Sequence, residues 1–263
     1  MFQPPAGRPV PIPDGEHPMK RSIDREPSEN ILLPWPELIP GVLERRYKRF
    51  LADVTLKTGE TVTAHCPNSG RMTGCSLPGR PVYISPQNSP KRKLRYTWEI
   101  IDMPSSLVGI NTQVPNRLVF HAAQAGIIPE LSGYESVQRE VRAGDHTRFD
   151  LALYGEREKT CFVEIKNSTL VENDAACFPD AVTTRGKNHL VELQKLVRAG
   201  NRAVMFFLVQ RMDATCFMPA DPIDPAYGKE LRKAAEAGVE MVAYDVHIDL
   251  AAIRLRSRLP III

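Results

Sequence analysis

Residues 147–167 constrain the fold more than any other stretch. They read as two alternating runs, TRFDLALY from position 147 and TCFVEIKN from position 160, joined by a charged, glycine-containing turn at 155–159. Alternation with a period of two marks strands with one buried face. On that reading Phe149, Leu151 and Leu153 point one way and Arg148 and Asp150 the other, while Val163 and Ile165 oppose Glu164 and Lys166. The pattern predicts a hairpin carrying Asp150, Glu164 and Lys166 on one side.

Two carboxylates held close raise each other's pKa unless a cation sits between them. A divalent metal is one solution, and hard oxygen donors suit Mg²⁺ or Mn²⁺ better than Zn²⁺. Lys166 would then orient a water or neutralise a phosphate. A solvated strand face with a cross-strand ion pair fits the same residues.

Charge is distributed unevenly. Residues 41–110 hold 11 Lys/Arg against 5 Asp/Glu, whereas residues 111–263 hold 19 against 20. A basic segment beside a near-neutral one with a candidate metal site suits a polyanion. At 263 residues and 43% hydrophobic content, the chain is expected to be globular, in one or two domains. No apolar run has the length of a membrane span, and the first forty residues lack the apolar centre of a signal peptide. A cytoplasmic location with no membrane partner is therefore expected. The five cysteines are scattered without a Cys-x-x-Cys pair, which points to free thiols rather than structural zinc.

Residues 1–40 are rich in proline and read as an extended arm, with Trp35 and Leu38 able to pack on the adjoining domain. Residues 42–57, 60–66, 80–85, 94–101 and 106–111 are five strand candidates, so residues 41–111 form an all-β domain, most naturally an OB-like small barrel. Its charge comes from Arg45, Arg46, Lys48 and Arg49, and from Lys91, Arg92, Lys93 and Arg95. The interleaved Tyr47, Phe50, Tyr96 and Trp98 complete a pattern used to bind single-stranded nucleic acid. A solvated basic edge over an aromatic core is the alternative.

From residue 112 to 263 the pattern is α/β. A helix begins around Pro115 with an apolar stripe through Leu118, Val119, Ala122 and Ala123. Glu130, Glu135 and Glu140 come next, any one of which is available as a further acidic member of the site. A crossover helix then opens with Arg185, Lys187 and His189, where helix N-terminal amides favour a phosphate. The apolar strand 203–209, a helix capped by Asp224-Pro225 and a strand at 239–246 complete the domain; the strand, helix, strand order predicts parallel pairs within a mixed sheet. No nucleophile elbow, dinucleotide turn or phosphate-binding loop is present.

These landmarks resemble the sugar fermentation stimulation protein (SfsA) family. The matching words are RYKRFLADV at 46–54, HCPNSGRMTGC at 65–75, KRK at 91–93, TWE at 97–99, NRL at 116–118, ELSGY at 130–134, RFD at 148–150, VEIK at 163–166, FPDAVT at 178–183 and Arg185-Gly186 with His189. The resemblance implies an OB-like domain followed by a PD-(D/E)xK nuclease-like domain, with DNA as the partner. It aligns Asp150, Glu164 and Lys166 with the nuclease motif and adds the Ile165 carbonyl as a metal ligand. Three functions are expected from it. The first is a DNA-binding protein that grips single- or double-stranded DNA through the barrel, and the second is a Mg²⁺- or Mn²⁺-dependent nuclease with Arg185 or His189 on the scissile phosphate. The third is a regulator of sugar metabolism genes, although no helix-turn-helix reader is visible. A fold alone establishes none of them. Oligomeric state is open, a homodimer included.

Overall fold

The computed structural model describes residues 31–90, 92–143, 147–155 and 159–263. Chain order begins with β1 (Leu32–Pro34), then β2 (Ile39–Tyr47), β3 (Leu51–Leu56), β4 (Thr61–His65), β5 (Pro81–Pro86), β6 (Tyr96–Met103) and β7 (Ser106–Gly109). The stretch expected as a single strand at 42–57 is two, because the chain reverses at Lys48 and Arg49, both in the left-handed region at φ 47° and 63°. Strands β4, β3, β2, β5 and β6 pair in that order, and a parallel β4–β6 contact closes them into a five-stranded OB barrel with β7 added outside. Its interior is built from Leu43, Val54, Ile84, Trp98 and Ile101. Trp98 is fully buried and donates its indole N–H to the Ile100 carbonyl, so it belongs to the core and offers no surface to nucleic acid.

The α/β domain comes second, with α1 (Gln113–Gln124), β8 (Ser136–Ala143), β9 (Thr147–Tyr154), β10 (Cys161–Ser168), β11 (Leu170–Glu172), β12 (Ala175–Phe178), α2 (Thr184–Arg198), β13 (Arg202–Val209), β14 (Cys216–Pro219), α3 (Pro225–Glu236), β15 (Glu240–Ile248) and β16 (Ala252–Arg258). The main sheet runs β1-β16-β15-β13-β10-β9-β8 and is mixed: β10, β13 and β15 are parallel, the outer pairs antiparallel. The seven residues after Arg202 in β13 are all buried, as a central strand covered on both faces requires. One face packs α1, the other α2 and α3. The Thr183 side chain caps α2 by accepting Gly186 N–H, and Asp224 caps α3 while also taking Thr183 N–H. That shared cap ties the two helix starts together. Among the described residues no helix is long and apolar enough to cross a membrane.

Residues 32–38 of the expected arm belong to the fold. Leu32–Pro34 pairs with β16 as an edge strand, Trp35 donates its indole N–H to Asp249 O, and Leu38 packs on the α/β core. Apolar Leu33 gives this segment something to bury despite its prolines. Residues 1–30 lie outside the described residues. So do residues 156–158, most of the expected turn between β9 and β10.

Candidate metal centre and nucleic-acid cleft

β10 is paired with β13 along its whole length, but β9 leaves it after Val163↔Leu151. The Asp150 carboxylate fills the gap that opens, its Oδ2 accepting Ile165 N–H at 2.7 Å. The other oxygen accepts the Asn116 side-chain amide of α1, also at 2.7 Å. In a strand the N–H and C=O of one residue point to the same edge, so the Ile165 carbonyl faces the same gap.

Strict alternation therefore does not place Asp150. Glu140, opposite Asp150 in the β8–β9 register, has φ 55°, and that rung of the ladder is missing. Across the irregularity Phe149 packs on the α2 side of the sheet while Leu151 and Leu153 pack on the α1 side. Asp150 reaches the site by plugging a split between strands, whereas Glu164 and Lys166 reach it by sharing a face of β10.

That face is buried. Glu164 is 4% exposed, and its Oε1 accepts Lys166 Nζ at 2.5 Å and also meets His189 Nδ1 from α2. Arg185 Nε donates to His189 Nε2 at 3.4 Å, so a neutral imidazole with its proton on Nδ1 satisfies both contacts. Burial pushes the Glu164 carboxyl up, but the hydrogen bond from His189 and the charge of Lys166 outweigh it and leave Glu164 below the ordinary carboxylate value. Burial, and then the charge of Glu164, pushes Asp150 up to about 6. Glu164 Oε2 is buried without a hydrogen-bond partner among the described residues.

The donors present fit a hard cation in kind: an orphaned carboxylate oxygen, a second carboxylate resisting ionisation, and a main-chain carbonyl on the same edge. No group of three or more His, Cys, Asp or Glu side chains converges among the described residues. Two carboxylates with one carbonyl leave positions for water, as Mg²⁺ prefers.

The carboxylates open onto a cleft of ≈ 830 Å³ between the domains. Asp150, Glu164, Ile165, Lys166 and Arg185 line one wall, and Arg46, Arg49 and residues 68–71 line the other. Arg46 is mostly a brace. Its guanidinium donates to the carbonyls of Arg49, Asn68, Gly70 and Arg71 at 2.8–3.1 Å, shaping the HCPNSGRMTGC loop. Asp180 meets that loop from the α/β side, accepting Met72 N–H at 2.8 Å and lying so close to Gly70 that a Cβ there would come within 2.4 Å of Oδ2.

The remaining sequence candidates scatter. Arg45 pairs with Asp53 at 2.9 Å on the barrel surface, and Lys48 is exposed in the β2–β3 turn. Arg92 bonds Gln87 and Thr97 and, with Lys93, lines a separate groove beside His65. Arg95 is exposed, and Lys91 lies outside the described residues. His189 sits behind Glu164 rather than on the cleft wall, and Lys187, two residues from Arg185, is turned to a different side of α2. None of the three glutamates joins the site: Glu130 pairs with Arg258 at 2.7 Å, Glu140 with Arg148 at 3.5 Å, and Glu135 is exposed away from the cleft lining. Asn116, Asp180 and Gly70 were not legible as site residues from chemistry. Their signal lies only in the family words NRL, FPDAVT and HCPNSGRMTGC.

A closed OB barrel joined to an α/β domain, whose mixed sheet presents Asp150, Glu164 and Lys166 to a shared cleft, is the class that this geometry defines. The chain belongs to the sugar fermentation stimulation protein family: it matches the SfsA N-terminal OB domain over residues 45–110 and the sugar fermentation stimulation protein RE domain over residues 113–252. The sugar fermentation stimulation protein homolog of Geotalea daltonii is 53% identical over 228 residues, covering 87% of this chain and 98% of that protein. The homolog of Geobacter sulfurreducens is 52% identical over 232 residues, covering 88% and 99%. The structure of Pyrococcus furiosus SfsA in complex with Ca²⁺ is similar with a TM-score of 0.81 at 30% identity, over 88% of this chain and 99% of that one.

Proposed function

We propose that the chain binds DNA in the cleft between barrel and α/β domain and, with Mg²⁺ or Mn²⁺ held by Asp150, Glu164 and the Ile165 carbonyl, hydrolyses a phosphodiester bond there. One observation carries this reading: the carboxylates and Lys166 line the same cleft as Arg46, Arg49 and Arg185. The Pyrococcus furiosus relative solved in complex with Ca²⁺ supports it, since Ca²⁺ takes the same class of oxygen donor. A bound divalent ion would supply Lewis-acid stabilisation of the phosphate and lower the pKa of water.

The chain's own residues divide the remaining work. Arg185 and Arg49 hold backbone phosphates from opposite walls, a contact that fixes position without reading sequence. Lys166, whose ammonium donates to Glu164 Oε1 on the cleft wall, orients an attacking water there. Asn116 and Ile165 N–H fix the two oxygens of Asp150, and His189 fixes Glu164, so these three are positioning groups.

The test is incubation of labelled single-stranded and duplex DNA with Mg²⁺, Mn²⁺ or EDTA. Metal-dependent cleavage that disappears in Glu164→Ala, with DNA binding retained in EDTA, is the expected outcome. Cleavage that persists in Glu164→Ala, or an absence of DNA binding at low salt, would refute the proposal.

A further inference from the structure

Phe50 directly follows Arg49 at the end of the β2–β3 turn. It is 46% exposed and is the only exposed Phe, Tyr or Trp among the described residues. Its ring lies over His65 with centroids 6.5 Å apart and planes within 14°. The backbone beneath is fixed, because Cys66 N–H donates to Phe50 O at 2.8 Å. The turn that presents this ring places Lys48 and Arg49 in the left-handed conformation, where tight hairpins usually carry Asn or Gly. Such local strain is concentrated at binding segments.

Cations flank the aromatic pair on both sides. Arg49 lies on the cleft side, while Arg92 and Lys93 share a groove with His65 on the other. Burial and then the charge of Arg92 hold His65 below its ordinary value, so both rings are uncharged near neutral pH. An apolar aromatic face between two phosphate-binding points is the arrangement by which one strand is held with its bases laid on rings. A duplex cannot use it, since its bases are stacked on one another.

We propose that Phe50 and His65 form a stacking shelf for unpaired bases, leading a single strand out of the cleft toward Arg92 and Lys93. The substrate class is then DNA with a single-stranded stretch next to the bond in the cleft. This deepens the DNA-binding reading above and rests on it.

The test measures fluorescence anisotropy of a labelled oligothymidylate and of a blunt duplex of equal length, in EDTA so that neither is cut. Phe50→Ala weakens oligothymidylate binding about ten-fold, the effect of losing one base stack, and changes duplex binding less than about two-fold. Phe50→Trp retains single-strand affinity, and its emission is quenched on binding relative to the wild type. Oligothymidylate affinity unchanged in Phe50→Ala, an equal loss on both DNAs, or no quenching in Phe50→Trp overturns the shelf. Wild-type protein that binds neither DNA overturns the underlying DNA reading as well, so the two failures are distinguishable.

Discussion

Asp150→Asn is expected to stabilise the metal-free protein near neutral pH while removing its response to metal. In the folded chain, burial and the neighbouring Glu164 move the Asp150 carboxyl from 3.8 to about 6, which corresponds to roughly 3 kcal/mol between its two protonation states. The sign is set by linkage. A carboxyl whose folded value lies above its unfolded value imposes no penalty below about pH 4; the penalty grows through the window from about 4 to 6 and is complete above it. Asparagine has the same shape and never ionises. It still accepts Ile165 N–H, and a flip of the Asn116 amide lets that residue accept from the new NH₂ group. Urea denaturation in EDTA should therefore show Asp150→Asn more stable than wild type by about 2–3 kcal/mol at about pH 7.5, with the difference closing by about pH 4. Added Mn²⁺ should raise the midpoint of the wild type only, because mass action rewards the state that binds. Metal affinity of the wild type should itself fall as the pH drops below about 6, where Asp150 takes up a proton. Equal stability of the two proteins at about pH 7.5, or a gain that is the same at both pH values, would refute the account of Asp150 as a carboxylate kept under tension for a cation.

Three further outcomes test separate parts of the structure. Arg49→Ala should reduce the slope of log binding constant against log salt by about 1 and weaken all DNA sequences alike; an unchanged slope removes Arg49 from the phosphate path. Arg202→Met removes hydrogen bonds to Glu240, Tyr134 and the Glu130 carbonyl and should cost about 2 kcal/mol in urea denaturation; a loss under about 0.5 kcal/mol would show that this network is solvated. Gly70→Ala places a Cβ against Asp180 and should break the Met72 N–H contact, at about 1–3 kcal/mol. It should also expose the loop at 67–74 to limited proteolysis, and a protease pattern identical to wild type would count against the contact.

The barrel was legible because its strands are short, alternating and separated by turn residues, and the α/β order because apolar strands such as 203–209 alternate with capped helices. The joining of 42–57 into one strand came from Lys48 and Arg49, which carry no turn signal and adopt left-handed backbone only because the flanking strands hold them there. β16 was missed because its sequence, AIRLRSR, is half charged or polar and reads as surface. In the site, Glu164 and Lys166 were visible because residues two apart on a strand share a face. Asp150 lines the same cleft, but by a geometry that alternation does not give, since no periodicity announces where two strands part. The roles of Asn116, Asp180 and Gly70 depend on contacts between segments up to 110 positions apart, which local spacing does not encode.

Those distant contacts bear on how the cleft works. Asp180 binds the barrel loop at Met72, and Gln210, just past the end of β13, bonds Gly109 and Asn111 at the end of the barrel domain and Asn167 beside the carboxylates. Each joins barrel to sheet through a polar group that is buried or partly buried, and breaking any of them leaves a donor or acceptor without its partner. The two walls are therefore tied to each other, and on the proposed reading a phosphate that touches Arg49 on one wall would face Asp150, Glu164 and Lys166 on the other. This explains why Arg46 serves the loop rather than the ligand: four of its donor contacts end on main-chain carbonyls, and the loop they hold is the wall itself. Neither domain alone contains the cleft: one wall comes from the barrel and the other, with its carboxylates, from the α/β domain.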